Sequence, residues 1–139
     1  QARFNMSVDV LTDLLACYAV DSKRNSGDYE DLMSDYVSPC IANFVLAAGN
    51  DELWKGVHHR VCLHTRHDRS IVRLHSLKTI QLCFEEVGEE YLIMLPETIS
   101  FLAELLEDQN EDVEQLARQV KAELESLSGG ESLDNYLFG

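Results

Sequence analysis

The sequence predicts an all-α protein, a right-handed α-solenoid of antiparallel helix pairs. Three observations predict it. Only two of the 139 residues are proline and seven glycine, so few positions break a helix. Between residues 66 and 127, three amphipathic patterns follow one another with very short breaks, at Gly88 and at Asp108-Gln109-Asn110. Residues 68–72 and 108–113 are alike, each an acidic, polar turn opening into a helix at a β-branched residue, and Val72 and Val113 lie 41 positions apart. Helical-pair repeats have a period of about 40–47 residues. One pair cannot bury its own apolar stripe, so successive pairs stack. Residues 1–139 are therefore expected to form a single helical module, long enough for a real core. The chain starts Gln1-Ala2-Arg3, with its first methionine at Met6, which reads as a piece of a longer chain.

A first helix is expected over residues 6–20, with Val10, Leu11, Leu14, Leu15 and Tyr18 on one stripe and Ser7 or Asp9 as cap. Residues 21–31 are polar and read as a flexible loop. A helix follows over 32–48. Pro39 lies inside it, so Ser38 is read as N-cap and Pro39 as the first helical residue; Ile41, Phe44, Val45 and Ala48 face inward, and Gly49-Asn50 stops the helix. Asp51 and Glu52 suit the positive end of the next helix, whose inner face is Leu53, Trp54, Val57, Val61 and Leu63. Asp68 or Ser70 caps a longer helix reaching Val87, with Ile71, Leu74, Leu77, Leu82 and Phe84 as its stripe and Ile80 beside it. The next helix opens at Glu89-Glu90, and Pro96 divides a short lead-in from the main segment, because an interior proline costs about 3 kcal/mol. That segment is apolar nearly all round and is expected between neighbours. Residues 111–127 form the last long helix, with Val113, Leu116, Ala117, Val120 and Leu124 inward and a Glu114–Arg118 pair outward. After Gly129-Gly130, the tail 129–139 carries Leu133, Tyr136, Leu137 and Phe138, an apolar cap for the open end of the stack.

The net charge of −14 argues against nucleic acid as the partner of the whole surface. Residues 55–78 run the other way, with Lys55, Arg60, Arg66, Arg69, Arg73 and Lys78 against Asp68 alone. Lys55, Arg60, Arg66 and Arg69 are the candidate contacts to RNA or a protein partner, while Arg73 is read as bonding inside the repeat. Glu107, Asp108, Glu111 and Asp112 are the candidate acidic docking residues, beside the plainer reading of a solvated turn and helix start. Cys17, Cys40, Cys62 and Cys83 are widely spaced and read as small buried hydrophobes in a reducing compartment. No apolar run reaches the roughly 20 residues needed to span a bilayer.

His58, His59, Cys62, His64 and His67 fall within ten residues. Four converging zinc ligands would have to curl round a helix end, and neither C-x-x-C nor H-E-x-x-H is present, so no metal site is assigned. Cys62 or Cys83 beside a histidine lacks any Gly-rich turn to form an oxyanion hole. No catalytic residue and no cofactor is expected.

N-F-V-L-A-A-G-N-D-E-L-W-K (43–55), V-G-E-E-Y-L-I-M-L-P-E-T-I-S-F-L-A-E-L-L-E-D (87–108) and the 133–138 end carry a resemblance. They are similar to the C-terminal region of the large HEAT-repeat subunit of the UtpA subcomplex of the small-subunit processome. The resemblance covers most of residues 39–138 and implies a HEAT/armadillo-like fold. It implies a non-enzymatic scaffold of ribosome biogenesis in the nucleolus, acting in pre-rRNA transcription and in processing toward 18S rRNA. The implied partners are other UtpA and processome proteins, with pre-rRNA or the U3 ribonucleoprotein in the assembly, and no membrane or small-molecule substrate. Direct RNA binding through residues 55–78 and a generic protein-interaction adaptor are the alternatives.

Overall fold

The computed structural model describes Asp13 and residues 30–137. The helix expected over 6–20 and most of the 21–31 loop lie outside the described residues, although Glu30 and Asp31, assigned to that loop, are already helical. The described chain is an all-α solenoid, with no strand among the described residues.

The first element corrects the reading of Pro39. The helix does not begin there; a π turn at Met33–Val37 runs straight into α1, Ser38–Ala48. The Ser38 N–H donates to Met33 O, one residue farther back than an α-helical bond reaches. Proline has no N–H and its ring crowds the preceding turn, and the wider π turn absorbs both effects without ending the helix. Ser38 is therefore no cap: its backbone is helical and its buried Oγ lies 2.8 Å from Thr79 Oγ1.

Gly49 ends α1 in the left-handed region at φ +53°, its N–H donating to Val45 O. Asn50 then turns the chain, its Oδ1 accepting the N–H groups of Glu52 and Leu53 to cap α2, Asp51–His64. Turn 65–69 leads to α3, Ser70–Val87, and Gly88 at φ +83° opens a 3-10 turn, Gly88–Met94. Pro96 sits in the first turn of α4, Leu95–Leu105, so it starts this helix as expected. Turn 106–110 leads to α5, Glu111–Leu127, where Asn110 Oδ1 accepts the Val113 N–H. A short α6, Asp134–Leu137, packs on α4, with Leu133 and Leu137 buried and Tyr136 exposed. Phe138 lies outside the described residues.

α1, α3 and α5 stack as one layer; α2, the 3-10 turn and α4 form the other, extended by α6. The register shows in the cross-links. His59 meets Glu97 and Arg66 meets Glu104, both across 38 residues. Two contacts at one constant offset require α2 and α4 to run parallel, so α3 between them returns antiparallel. The intervals of 41 for Ser38–Thr79 and 42 for Gln81–Glu123 relate α1 to α3 and α3 to α5.

Two other assignments change. Leu63 is 46% exposed rather than internal, and Cys40 is exposed whereas Cys62 and Cys83 are buried. On α3 the fully buried set is Val72, His75, Ser76, Leu77, Thr79, Ile80, Cys83 and Phe84, while Ile71, Leu74 and Leu82 pack only at its margins. α3 touches α1, α2, α5 and the 3-10 turn, so it is surrounded, and polar residues as well as apolar ones lie in its contacts.

Candidate interaction surface

Two consecutive turns form one edge of the solenoid and hold half of the eight candidate contact residues, Arg66, Arg69, Glu107 and Asp108. Their backbones repeat. Arg66 and His67 N–H groups donate to Leu63 O and His64 O; Glu107 and Asp108, each 41 residues on, donate to Glu104 O and Leu105 O. His67 Nδ1 accepts the Arg69 N–H at 3.1 Å, and Asp108 Oδ1 accepts the Asn110 N–H at 2.9 Å, again 41 residues on. A neutral imidazole thus does in the first turn what a carboxylate does in the second. Burial leads in holding the His67 pKa below its usual value, which favours the acceptor form that this turn needs. The helix that follows starts at Arg69 as N-cap, with no side-chain cap from Asp68 or Ser70.

Arg73 fastens the two turns together. Its Nε and Nη2 donate to the Asp108 carboxylate at 2.8 and 3.0 Å, and its Nη1 donates to the carbonyls of His67 and Asp68. This is the internal bonding expected for Arg73, and it takes Asp108 out of the docking set. Glu107, Glu111 and Asp112 remain exposed at the turn and the first turn of α5.

The basic candidates do not form one patch. Arg66 lies flat on the Phe101 ring, 4.2 Å from its centroid, while its Nε donates to Glu104 at 2.9 Å. Arg69 is exposed at the head of α3, and Arg60 is half-buried on α2. Lys55 is exposed near the other end of α2, eleven residues before Arg66, which is about 16 Å along a helix axis. The edge is thus of mixed charge, arginines on one turn and carboxylates on the next. A phosphate backbone gains little net field from such an edge, whereas a protein surface of mixed charge can match it residue by residue.

The histidine-rich run is dispersed as well. His58 is in the core. Thr98 Oγ1 donates to Met94 O, so it accepts from His58 Nε2 at 2.7 Å, and the unprotonated Nδ1 accepts the Tyr91 hydroxyl at 2.9 Å. Burial, helped by the neighbouring His59, lowers its pKa to about 3, so it stays neutral. Phe84 meets both His58 and Tyr91 edge-on, and Trp54 leans on Tyr91 while its Nε1 donates to Val45 O at 2.6 Å. His59 points outward to Glu97 at 2.7 Å, and His64 Nδ1 bonds its own helix at Arg60 O. Among the described residues no group of three or more His, Cys, Asp and Glu is placed to hold a metal ion. Burial pushes the Cys62 thiol up and Cys83 to about 12, so neither is a thiolate at neutral pH.

Charge patterning found the arginines but not their counterparts. Phe101 and Tyr91 read only as apolar positions of their helix, Glu104 only as the start of an acidic run, and Thr98 carries no local signal. The signal that finds them is the repeat interval: 38 to 40 residues beyond His58, His59 and Arg66 stand Thr98, Glu97 and Glu104.

No family model matches the chain. It is 38% identical over 128 residues to HEAT repeat-containing protein 1 of Danio rerio, covering 89% of this chain and 6% of that protein. Over 108 residues it is 37% identical to the Homo sapiens protein of the same name, 78% of this chain and 5% of that one. Over 133 residues it is 32% identical to U3 small nucleolar RNA-associated protein 10 of Aspergillus oryzae, 96% of this chain and 6% of that protein. The chain spans about a twentieth of the length of the curated relatives it matches.

Proposed function

The chain belongs to the family of HEAT repeat-containing protein 1 and U3 small nucleolar RNA-associated protein 10, and on that premise we propose that it is a non-enzymatic scaffold module of ribosome biogenesis. It works in the nucleolus, within the UtpA subcomplex of the small-subunit processome, in pre-rRNA transcription and in processing toward 18S rRNA. Its partners are processome proteins, with the U3 ribonucleoprotein in the same assembly.

The observation that carries this is the 32% identity with a U3 small nucleolar RNA-associated protein over 96% of the chain. The geometry agrees with a scaffold. His58, Cys62 and Cys83 are committed to the core and His64 to its own helix, and charged side chains line the turn edges. The mixed charge of the 65–69 and 106–110 edge supports contact with protein over direct RNA binding, since Arg66 and Arg73 already serve Glu104 and Asp108.

The test is affinity capture of the tagged chain from nuclear extract, with quantification of U3 RNA and UtpA proteins against a tag-only control. Co-enrichment of both is expected. Capture at the control level of both would overturn the assignment. Recovery of U3 RNA that survives removal of the proteins would transfer the role to the RNA-binding alternative.

A further inference from the structure

Between α3 and α5 lies a cavity of about 110 Å³ lined by Gln81, Phe84, Glu85, Val120, Glu123, Leu124 and Leu127. Its floor is apolar, from Phe84, Val120, Leu124 and Leu127, and its rim carries Glu85 and Glu123. Gln81 Nε2 donates to both carboxylate oxygens of Glu123, at 3.1 and 3.0 Å, and Gln119 Nε2 donates at 3.3 Å. Neutral amides thus fix the carboxylate without neutralising it. Among the described residues, no ion pair reaches Glu85, Glu86 or Glu123. Desolvation, then the nearby charges of Glu123 and Glu86, raise the Glu85 pKa. A cation placed in the rim would relieve that repulsion.

We propose that this α3–α5 groove is a docking site for an arginine or lysine of a basic, amphipathic segment of a partner protein. The aliphatic stem lies on Phe84, Leu124 and Leu127, and the charged head reaches between Glu85 and Glu123. Long basic side chains bury their methylene stems in this way while the head keeps polar company. Charge complementarity selects the occupant. A second copy of this chain would bring another strongly acidic surface, at a net charge of −14, and a nucleic acid would bring phosphates to carboxylates. The site is distinct from Glu107, Glu111 and Asp112 at the 106–110 turn. It stands on the groove's geometry alone, so the proposed place in ribosome biogenesis and this docking site fail by different results.

The test is fluorescence anisotropy of the 139-residue chain with a labelled peptide of alternating Arg, Lys and Leu, at two salt concentrations. A version with Leu replaced by Ser and a fluorescent single-stranded RNA complete the set. The double variant Glu85→Gln/Glu123→Gln is expected to weaken binding of the Leu-containing peptide at least about tenfold, as loss of charge-assisted contacts does. The control Glu111→Gln/Asp112→Asn removes the same charge elsewhere and is expected to leave it within about twofold. The Ser peptide should bind more weakly than the Leu peptide, and the RNA should not compete. Equal weakening by both double variants, equal binding of both peptides, or displacement by RNA would each overturn the proposal. Thermal melts of both variants establish that each is folded before binding is compared.

Discussion

Replacing Asp108 with alanine should cost about 3 kcal/mol of stability. Arg73 uses Nε and Nη2 on the Asp108 carboxylate, at 2.8 and 3.0 Å, and Nη1 on the carbonyls of His67 and Asp68. The two side chains are only 19% and 9% exposed. Truncation leaves a guanidinium largely out of water with two carbonyls for company, and it removes the acceptor of the Asn110 N–H at the entry to α5. Breaking one side of a buried ion pair costs about 3–5 kcal/mol, and the surviving carbonyl bonds set the lower end. Asp108→Asn keeps a hydrogen-bond acceptor at the site and should lose about half as much, roughly 1.5 kcal/mol. Urea unfolding followed by circular dichroism reads both, and for a chain of this size 3 kcal/mol corresponds to a Tm about 10 °C lower. A double-mutant cycle with Arg73→Met isolates the pair. The pH dependence has a definite sign. Burial pushes the Asp108 carboxyl up, but the Arg73 and Asn110 donors outweigh it and hold the pKa below the usual value. Its contribution is therefore complete above about pH 4, the ordinary aspartate value, and fades as the pH falls below that. A loss under about 0.5 kcal/mol for Asp108→Ala, the level of an exposed pair, or a coupling energy near zero, would refute the internal clamp.

Three further outcomes follow from the core and the turns. His58 titrates near pH 3 in the folded chain, so the unfolded chain takes up the proton first. Below about pH 6.5 His58 should contribute a fall in stability of up to roughly 1.4 kcal/mol per unit, beside a like contribution from His75, whose pKa burial lowers to about 4. His58→Phe should reduce the slope in denaturant titrations by that share; an unchanged slope would remove His58 from the cause. In a Cys17→Ser background, a disulfide reagent at pH 8 should modify exposed Cys40 quickly and reach Cys62 and Cys83 only at the rate of unfolding, and prompt labelling of all three would contradict the packing. Gly88 (φ +83°, ψ −146°) adopts a backbone region open essentially to glycine, whereas Gly49 (φ +53°, ψ +29°) is left-handed helical, and a Cβ at either meets nothing within 4 Å. Gly88→Ala should therefore cost more than Gly49→Ala, about 2–3 against about 1 kcal/mol in melts, and equal losses would mean that backbone conformation is not the cause.

The legibility of each helix tracked how many sides of it are covered. α5 has one face to solvent, and of the five residues its periodicity picks out, Val113, Ala117, Val120 and Leu124 are buried and Leu116 is partly buried. α3 is covered on several sides, so burial no longer selects for apolar residues at a single spacing. His75, Ser76 and Thr79 sit inside beside Val72 and Cys83, and of the expected stripe Leu77, Ile80 and Phe84 are buried while Ile71, Leu74 and Leu82 mark the margins. At Pro39, ring chemistry correctly signals a disturbed helix. Whether the chain answers with a new start or a π turn depends on what lies outside the local sequence, here the Ser38–Thr79 contact that holds the turn against α3. Pro96 carries the same chemistry but follows the 3-10 turn, and there it does open a helix.

The same contrast separates charge from its use. Residues 55–78 are basic in any conformation, but a count cannot tell an arginine that faces a partner from one that faces the next repeat. Only the interval decides it. Once a repeat near 41 residues is granted, His59 on α2 and Arg66 in the following turn each have a counterpart 38 residues later. Glu97 stands there for His59 and Glu104 for Arg66, one carboxylate for each. Arg73 reaches back across 35 residues to Asp108. Two of the six cations in that basic segment, Arg66 and Arg73, thus belong to an inter-repeat ladder with carboxylates of the acidic body. Carboxylates that the ladder leaves without a cation, as at Glu85 and Glu123, are those on which the proposed docking of a basic segment rests.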